Sequence, residues 1–368
     1  MHKNEFLARI RLGLAKGIGP KQFHNLLVQW STAEKILQVP RFMLALTLSP
    51  EAIQNLLCTE SEKQAKEEIR KTTALGAAII PFGHSQYPDS LAEAPCPPPL
   101  LWCAGKMDVV PGIALVGKRA ASGDAVNTAR KTAQTLAQKG FTVISGGAYG
   151  IDAAAHAGCL DAGGPTICVL GSSLDRPYPA RNLDLFKEAV NSGGAVISHL
   201  RLGTEPHRGC FLQRNRIIAA LSRGVCVVEA GLRSGAKNTA AHAKSLKIPV
   251  MAFPGSPGTM QLLADGAYRV ENARQILDVV VSNKGERGVE APDNLDENLS
   301  RLLCAAAVPG GRTPDDLGTL CGMSPAQTLS RLTVLEMEEL ILRLPGNRYA
   351  AVHNPSSPTK NKIGGLTE

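Results

Sequence analysis

The sequence predicts an α/β domain built on a doubly wound, mostly parallel sheet, with a small helical unit before it and a helix-and-hairpin unit after it. Two observations carry the sheet. Short apolar, β-branched runs recur at 113–117, 141–145, 166–170, 195–198, 225–229 and 249–253. Several, such as Val225-Cys226-Val227-Val228, are apolar at every position, as strands covered on both faces must be. Helical segments separate these runs: residues 122–139 place Val126, Ala129, Ala133, Leu136 and Ala137 on one stripe, between Ser122 as N-cap and Gly140 at C′. This alternation puts helices on both faces of the sheet and directs ligands to the carboxyl ends of its strands.

Composition bounds the rest. At 368 residues, with 44% hydrophobic and 20% charged, the chain is globular and long enough for several domains. A net charge of +8 favours polyanionic partners. The nine cysteines include no Cys-x-x-Cys pair, and several sit inside apolar runs, which fits buried reduced thiols and no metal site. The first residues hold charges among apolar positions without a signal-peptide core, and no apolar run approaches a membrane span, so a cytoplasmic protein without membrane contact is expected.

Residues 1–75 predict a helical domain, with Phe6, Ile10, Leu12 and Leu14 in one helix and Phe23, Leu26, Leu27 and Trp30 in the next. Further helices are expected near 33–38, 50–57 and 61–75. Gly17-Ile18-Gly19-Pro20-Lys21, between the first two, resembles the turn of helix-hairpin-helix modules, which offers backbone N–H groups to a DNA phosphate; a plain αα-hairpin in a SAM-like bundle is the alternative. Residues 76–282 hold the α/β domain, and 76–112 within it form an extended connector with strand candidates at 77–82 and 100–103 around a proline-rich break. A polar linker is expected over 283–298 and a disordered tail over 354–368. Between them, 299–353 carry helices opened by Thr313-Pro314 and Ser324-Pro325, then two short strands around Pro345-Gly346-Asn347, the outline of a winged helix. Its third helix has Arg331 as its one base against Glu336, Glu338 and Glu339, which suits a protein contact at least as well as a DNA groove.

Residues that could carry chemistry gather at strand ends. Ser145-Gly146-Gly147, with Gly150 ahead of an Ala-rich helix, make a strand, a glycine loop and a helix: a phosphate cradle or a tight βα turn. Gly117-Lys118-Arg119 put positive charge after the first strand of the domain, and an arginine fork can bind two phosphate oxygens. Arg201, Arg208, Arg214, Arg216 and Arg223 accompany Phe211 and Asn215; arginines with an aromatic ring are the equipment for holding a single strand. Asp152 and His156 lie one helical turn apart, but with no nucleophile or metal partner they are expected to be structural.

With these motifs assembled, the chain resembles the DprA/Smf family of DNA-processing proteins. The resemblance rests on Val116-Gly117-x-Arg119, Ser145-Gly146 with Gly150-Ile151-Asp152, Tyr178-Pro179 with Asn182, Phe211 with Arg214-Asn215-Arg216-Ile217-Ile218, Val228-Glu229-Ala230, Arg233-Ser234-Gly235 and Pro254-Gly255-Ser256, in that order. It implies a Rossmann-like domain that binds single-stranded DNA without cofactor or catalysis, forms a homodimer and helps load the RecA recombinase in natural transformation. Carried over by motif, the DNA-binding residues are Gly117, Lys118, Arg119, Ser145, Gly146, Gly147, Phe211, Arg214, Asn215 and Arg216. Lys118, Tyr149 and His199 depart from the family pattern. The competing reading is a nucleoside-monophosphate phosphoribohydrolase of the lysine-decarboxylase-like family, for which Glu229 would be the catalytic Glu and Pro254–Thr259 a near miss of the Pro-Gly-Gly-x-Gly-Thr loop. A transcription regulator is a third reading, weakened by the acidic third helix.

Overall fold

A computed structural model of the chain describes residues 1–107, 112–282, 297–306, 312–338, 340–344 and 347–351. The chain divides into two units, Met1–Val281 and Ser282–Glu368.

The first unit opens with six helices, α1 (Lys3–Leu14), α2 (Pro20–Trp30), α3 (Ala33–Gln38), α4 (Arg41–Leu44), α5 (Pro50–Leu57) and α6 (Thr59–Ala74). Ile18, Phe23, Leu26, Ile36, Leu44 and Leu56 share one core. In the Gly17–Lys21 turn the amide of Gly19 donates to Oε1 of Gln22 at 3.0 Å, so that donor is satisfied within the hairpin. The segment expected as a connector holds β1 (Ala77–Pro81), the short helix α7 (Asp89–Ala92) and β2 (Leu100–Gly105). These strands join the sheet instead of lying against it: β1 pairs antiparallel with β2, and β2 with a central strand. The reason is burial on both faces. Ile10 and Ala65 of the helices cover Ile79, Leu100 and Trp102, while Tyr87 and Leu91 cover Ile80, Leu101 and Cys103.

The rest of the unit runs β3 (Gly112–Val116), α8 (Gly123–Gln138), β4 (Thr142–Ser145), α9 (Ile151–Asp161), β5 (Thr166–Val169), α10 (Leu183–Asn191), β6 (Ala195–Ser198), α11 (Arg208–Ala220), β7 (Val225–Val227), α12 (Gly235–Ser245), β8 (Val250–Ala252), α13 (Pro257–Ala264), β9 (Tyr268–Arg269) and α14 (Ala273–Ser282). The nine strands lie in the order β1-β2-β6-β5-β4-β3-β7-β8-β9, parallel from β6 to β9. Successive strands step outward from β3 in one direction and from β7 in the other, so the topology switches between these two neighbours. That is where this architecture opens a crevice for ligands.

Residue alternation along each strand divides the core. Ala114, Val116, Val225 and Val227 face Ile217, Ile218, Ala240 and Ala243 of α11 and α12; Ile113, Leu115, Cys226 and Val228 face Ala129, Leu136, Ile151, Ala155 and Ile276 of α8, α9 and α14. Ser122 caps α8 by accepting from the Ala125 amide. No disulfide joins the described cysteines. Burial raises the thiols of Cys103 to about 12 and Cys159 to about 11, and those of Cys168 and Cys226 further, which keeps them protonated.

In the second unit, α15 (Glu297–Ala306), α16 (Pro314–Cys321) and α17 (Pro325–Met337) are followed by a hairpin of β10 (Ile341–Leu344) and β11 (Arg348–Ala351). Thr313 and Ser324 cap α16 and α17, and Leu302, Leu303, Leu317, Leu332, Leu335 and Ile341 form its core. Residues 283–296 of the expected linker and the whole expected tail lie outside the described residues; Glu297 and Asn298 already belong to α15.

Helices α8 and α9 pack at closest approach where Gly158 has no side chain, since a Cβ there would collide with the Arg130 carbonyl group. Gly158→Ala therefore forces the helices apart and is expected to cost about 1–3 kcal/mol, read as a lower urea midpoint with an unchanged slope.

Candidate nucleic-acid interface

A cleft of about 720 Å³ opens at the switch point. Its walls come from four places: Gly117–Ala120 after β3, Ala148 and Asp152 after β4, α11 from Arg208 to Ile218, and Gly231–Thr239 after β7. Two glycines close the loops onto each other. Gly117 lies against Ile151, and Gly150, at φ 73°, sits where any Cβ would strike the carbonyl groups of Lys118 and Arg119. The Ile151 amide donates to the Lys118 carbonyl at 3.3 Å, joining the start of α9 to the loop after β3.

Beneath this surface is a buried polar chain. The Arg214 guanidinium, in a residue 4% exposed, donates from Nη1 to the carbonyls of Gly146 and Val169, the latter at 2.6 Å, and from Nε to Oδ1 of Asn215 at 3.2 Å. Asn215 in turn donates to the Gly235 carbonyl and to Oδ1 of Asn238. Arg214 thus draws the ends of β4 and β5 onto α11, and Asn215 carries the connection to α12. Asp152 shares this interior. Burial raises its pKa, opposed by the charge of Arg214, the amides of Ala148 and Gly117 and the Ser145 hydroxyl.

The exposed layer has a different chemistry. Arg119 places its Cζ 5.3 Å from the centre of the Phe211 ring, and Tyr178 meets the same ring edge-on at 5.9 Å. Arg208 opens α11 and Arg233 precedes α12; both are exposed, and among the described residues neither is paired with a carboxylate. Lys118 is half-exposed and 3.7 Å from Glu229. The carboxylate of Glu229 also accepts from the Ser122 amide at 2.8 Å and the Ser122 hydroxyl at 3.2 Å.

Of the residues expected from sequence, Gly117, Lys118, Arg119, Phe211, Arg214 and Asn215 line the cleft, and Gly146 lines the small recess beside Tyr149 and Tyr178. Four of the expected residues are engaged within the fold. Arg214 is a buried strut and not a surface cation, because its donors are turned to carbonyls beneath the loop. Ser145 is fully buried and its hydroxyl donates to the Leu115 carbonyl at 2.6 Å. Gly147 lies against Phe186 and is tied down by Asn182, which donates to its carbonyl at 2.9 Å. Arg216 points away, donating to the Cys96 carbonyl at 2.9 Å. Helical geometry could have separated Arg216 from the rest: Arg208, Phe211, Asn215 and Ile218 recur at three- and four-residue steps, and Arg216 falls off that face. The same count would have added Arg208. Arg233, Ser234 and Gly235, which the sequence carries as one of the family motifs, also line the cleft.

His156 is fully buried. Its Nδ1 donates to the Thr166 hydroxyl, which donates onward to the Val143 carbonyl, and burial together with the Arg214 charge lowers its pKa to about 3. Burial lowers His199 to about 4 and also depresses His24, His84 and His242. A histidine held neutral in the fold takes up its proton on unfolding, so its stabilisation is full above about pH 6.5 and is lost as pH falls toward the folded value. Asp152, with its raised pKa, acts in the opposite sense but alone. Urea midpoints are therefore expected to fall between pH 7 and pH 5, and His156→Gln should flatten that slope. In the cleft itself, Gly150→Ala should separate the two loops and cost about 1–3 kcal/mol, read as a lower urea midpoint.

Comparison with known proteins agrees with this geometry. Residues 78–281 match the family model for DNA recombination-mediator protein A, and residues 289–347 match the DprA winged helix domain. Protein Smf of Synechocystis sp. is 34% identical over 309 residues, covering 72% of this chain and 77% of its own. The crystal structure of DNA processing protein A from Streptococcus pneumoniae superposes with a TM-score of 0.61 at 29% identity, covering 75% of this chain and 98% of that one. The corresponding protein from Helicobacter pylori, described for its single-stranded DNA binding mode, gives 0.51 at 28% identity over 56% of this chain and 96% of its own. With more than half its length matched by the family model and its switch-point cleft built from the motifs named above, the chain belongs to the DprA/Smf family of DNA recombination-mediator proteins.

Proposed function

We propose that this protein binds single-stranded DNA in the switch-point cleft, protects incoming strands and passes them to RecA in recombination and natural transformation, acting as a homodimer. The observation that carries the strand-binding part is the Arg119–Phe211–Tyr178 cluster flanked by the exposed cations Arg208 and Arg233. A guanidinium already stacked on a ring presents its donors to a phosphate while the ring offers a face or edge to a base, which suits a strand of any sequence. The H. pylori relative is described as a single-stranded DNA binder, in support of the same reading.

The hydrolase alternative needs a carboxylate free to act on a substrate. Glu229 already accepts two bonds from Ser122 and faces Lys118, so it serves to hold the entry to α8 against β7. That engagement weighs against a catalytic role.

Fluorescence anisotropy with a labelled oligo-dT tests the reading. Wild type should bind with strong salt dependence, while Arg119→Ala or Phe211→Ala binds about tenfold more weakly and Arg119→Ala flattens the logarithmic salt slope by about 0.7. Glu229→Gln should leave binding near wild type, and incubation with nucleoside monophosphates should release no free base. Failure of wild type to bind, or ready displacement by a mononucleotide, would overturn the strand-binding role.

A further inference from the structure

Outside the lining of the cleft, Glu68 of α6 is 4% exposed and accepts from three directions. Oε1 takes the indole N–H of Trp102 at 3.1 Å and the backbone N–H of Leu202 at 2.9 Å, and Oε2 takes Nε of Arg201 at 3.1 Å. Trp102 belongs to β2, whereas Arg201 and Leu202 lie in the loop 199–207 between β6 and α11. That loop leads directly into Arg208 and Phe211. Leu202 and Leu174 pack beside Ile10, Ala65 and Trp102, adding apolar contact around the carboxylate. On the other side, Asp175 accepts from the Gly203 amide at 3.0 and 2.9 Å, and the Ser173 hydroxyl donates to the Thr204 carbonyl.

We propose that Glu68 is a positioning residue for strand binding: through Arg201 and Leu202 it fixes the loop that delivers Arg208 and Phe211, so the N-terminal helices set the affinity of a cleft they do not line. The physical reason is preorganisation. Without the carboxylate, a buried indole N–H and a part-buried amide lose their acceptor, and the loop can satisfy its own donors only by moving toward water. The first turn of α11 follows such movement because it begins where the loop ends. Binding must then restore the order that Glu68 supplies in advance, which weakens affinity without removing any group that touches the strand. The inference rests on the strand-binding reading of the cleft.

The test uses the full chain. Labelled oligo-dT is titrated with wild type, Glu68→Ala and Glu68→Gln at one salt concentration, well below the unfolding temperature, and hydrogen exchange is followed in parallel at the amides of 201–208. Glu68→Ala should bind about five- to tenfold more weakly, with faster exchange confined to this loop and the start of α11. Glu68→Gln keeps an oxygen for Trp102 and Leu202 and should recover most of the loss. A loosened loop with wild-type affinity overturns the proposal, since it makes Glu68 merely structural. If Glu68→Ala does not fold, Glu68→Asp, whose shorter carboxylate cannot reach Trp102 and the loop together, decides: weaker binding with faster exchange over 201–208 supports the proposal, and wild-type affinity with a loosened loop overturns it. If wild type itself binds no strand, the strand-binding reading fails and the inference fails with it; equal binding by wild type and variants removes the inference alone.

Discussion

The buried guanidinium of Arg214 is the constraint on which the cleft depends. A rigid planar cation has been taken out of water, a placement that is destabilising unless its donors find acceptors, and here Nη1 and Nε do. The acceptors are supplied by the chain ends that must come together: the carbonyls of Gly146 just after β4 and of Val169 at the end of β5, and the amide oxygen of the neighbouring Asn215. Because arginine keeps its charge in proteins, the nearby carboxyl of Asp152 gains a fixed positive neighbour in a site where desolvation alone would favour its neutral form. Gly146 follows from the same constraint, for a Cβ at that position would occupy the space of the guanidinium.

One consequence is a separation of charge by depth. The carboxylates nearest the cleft are engaged: Asp152 is buried with Arg214 behind it, and Glu229 is bound by Ser122 and Lys118. The cations that remain open are Arg119, Arg208 and Arg233, around a ring that already carries one guanidinium on its face. A cleft arranged this way presents positive charge beside an aromatic face. The winged-helix unit has a different surface: α17 exposes Leu329, Val334 and Met337 beside Glu336 and Glu338, an apolar and acidic face poorly matched to a DNA groove.

The N-terminal helices belong to the same structural unit as the sheet, and Glu68 shows how they are joined. Its carboxylate ties α6 to the β2 strand and to the loop ahead of α11, while Leu202 and Leu174 close over the junction. The sequence suggests a separable bundle followed by a connector, because local periodicity stops at Ala74 and resumes after the prolines. Pairing of β2 with β6, more than ninety residues downstream, is a long-range contact with no local signal.

The strand runs, the caps at Ser122, Thr313 and Ser324, and the glycine loops at strand ends were legible in the sequence because each follows from short-range chemistry: period, cap and turn. So was the site's neighbourhood, since a doubly wound sheet has one switch point and Gly117–Arg119 lies beside it. Tertiary structure alone decided the role of each arginine. Arg119, Arg208, Arg214 and Arg216 are the same side chain in sequence, yet one stacks on Phe211, one opens to solvent, one is a buried strut and one reaches the Cys96 carbonyl. What separates them is which acceptors the folded chain brings within reach of each guanidinium, and those acceptors come from residues far away in the sequence.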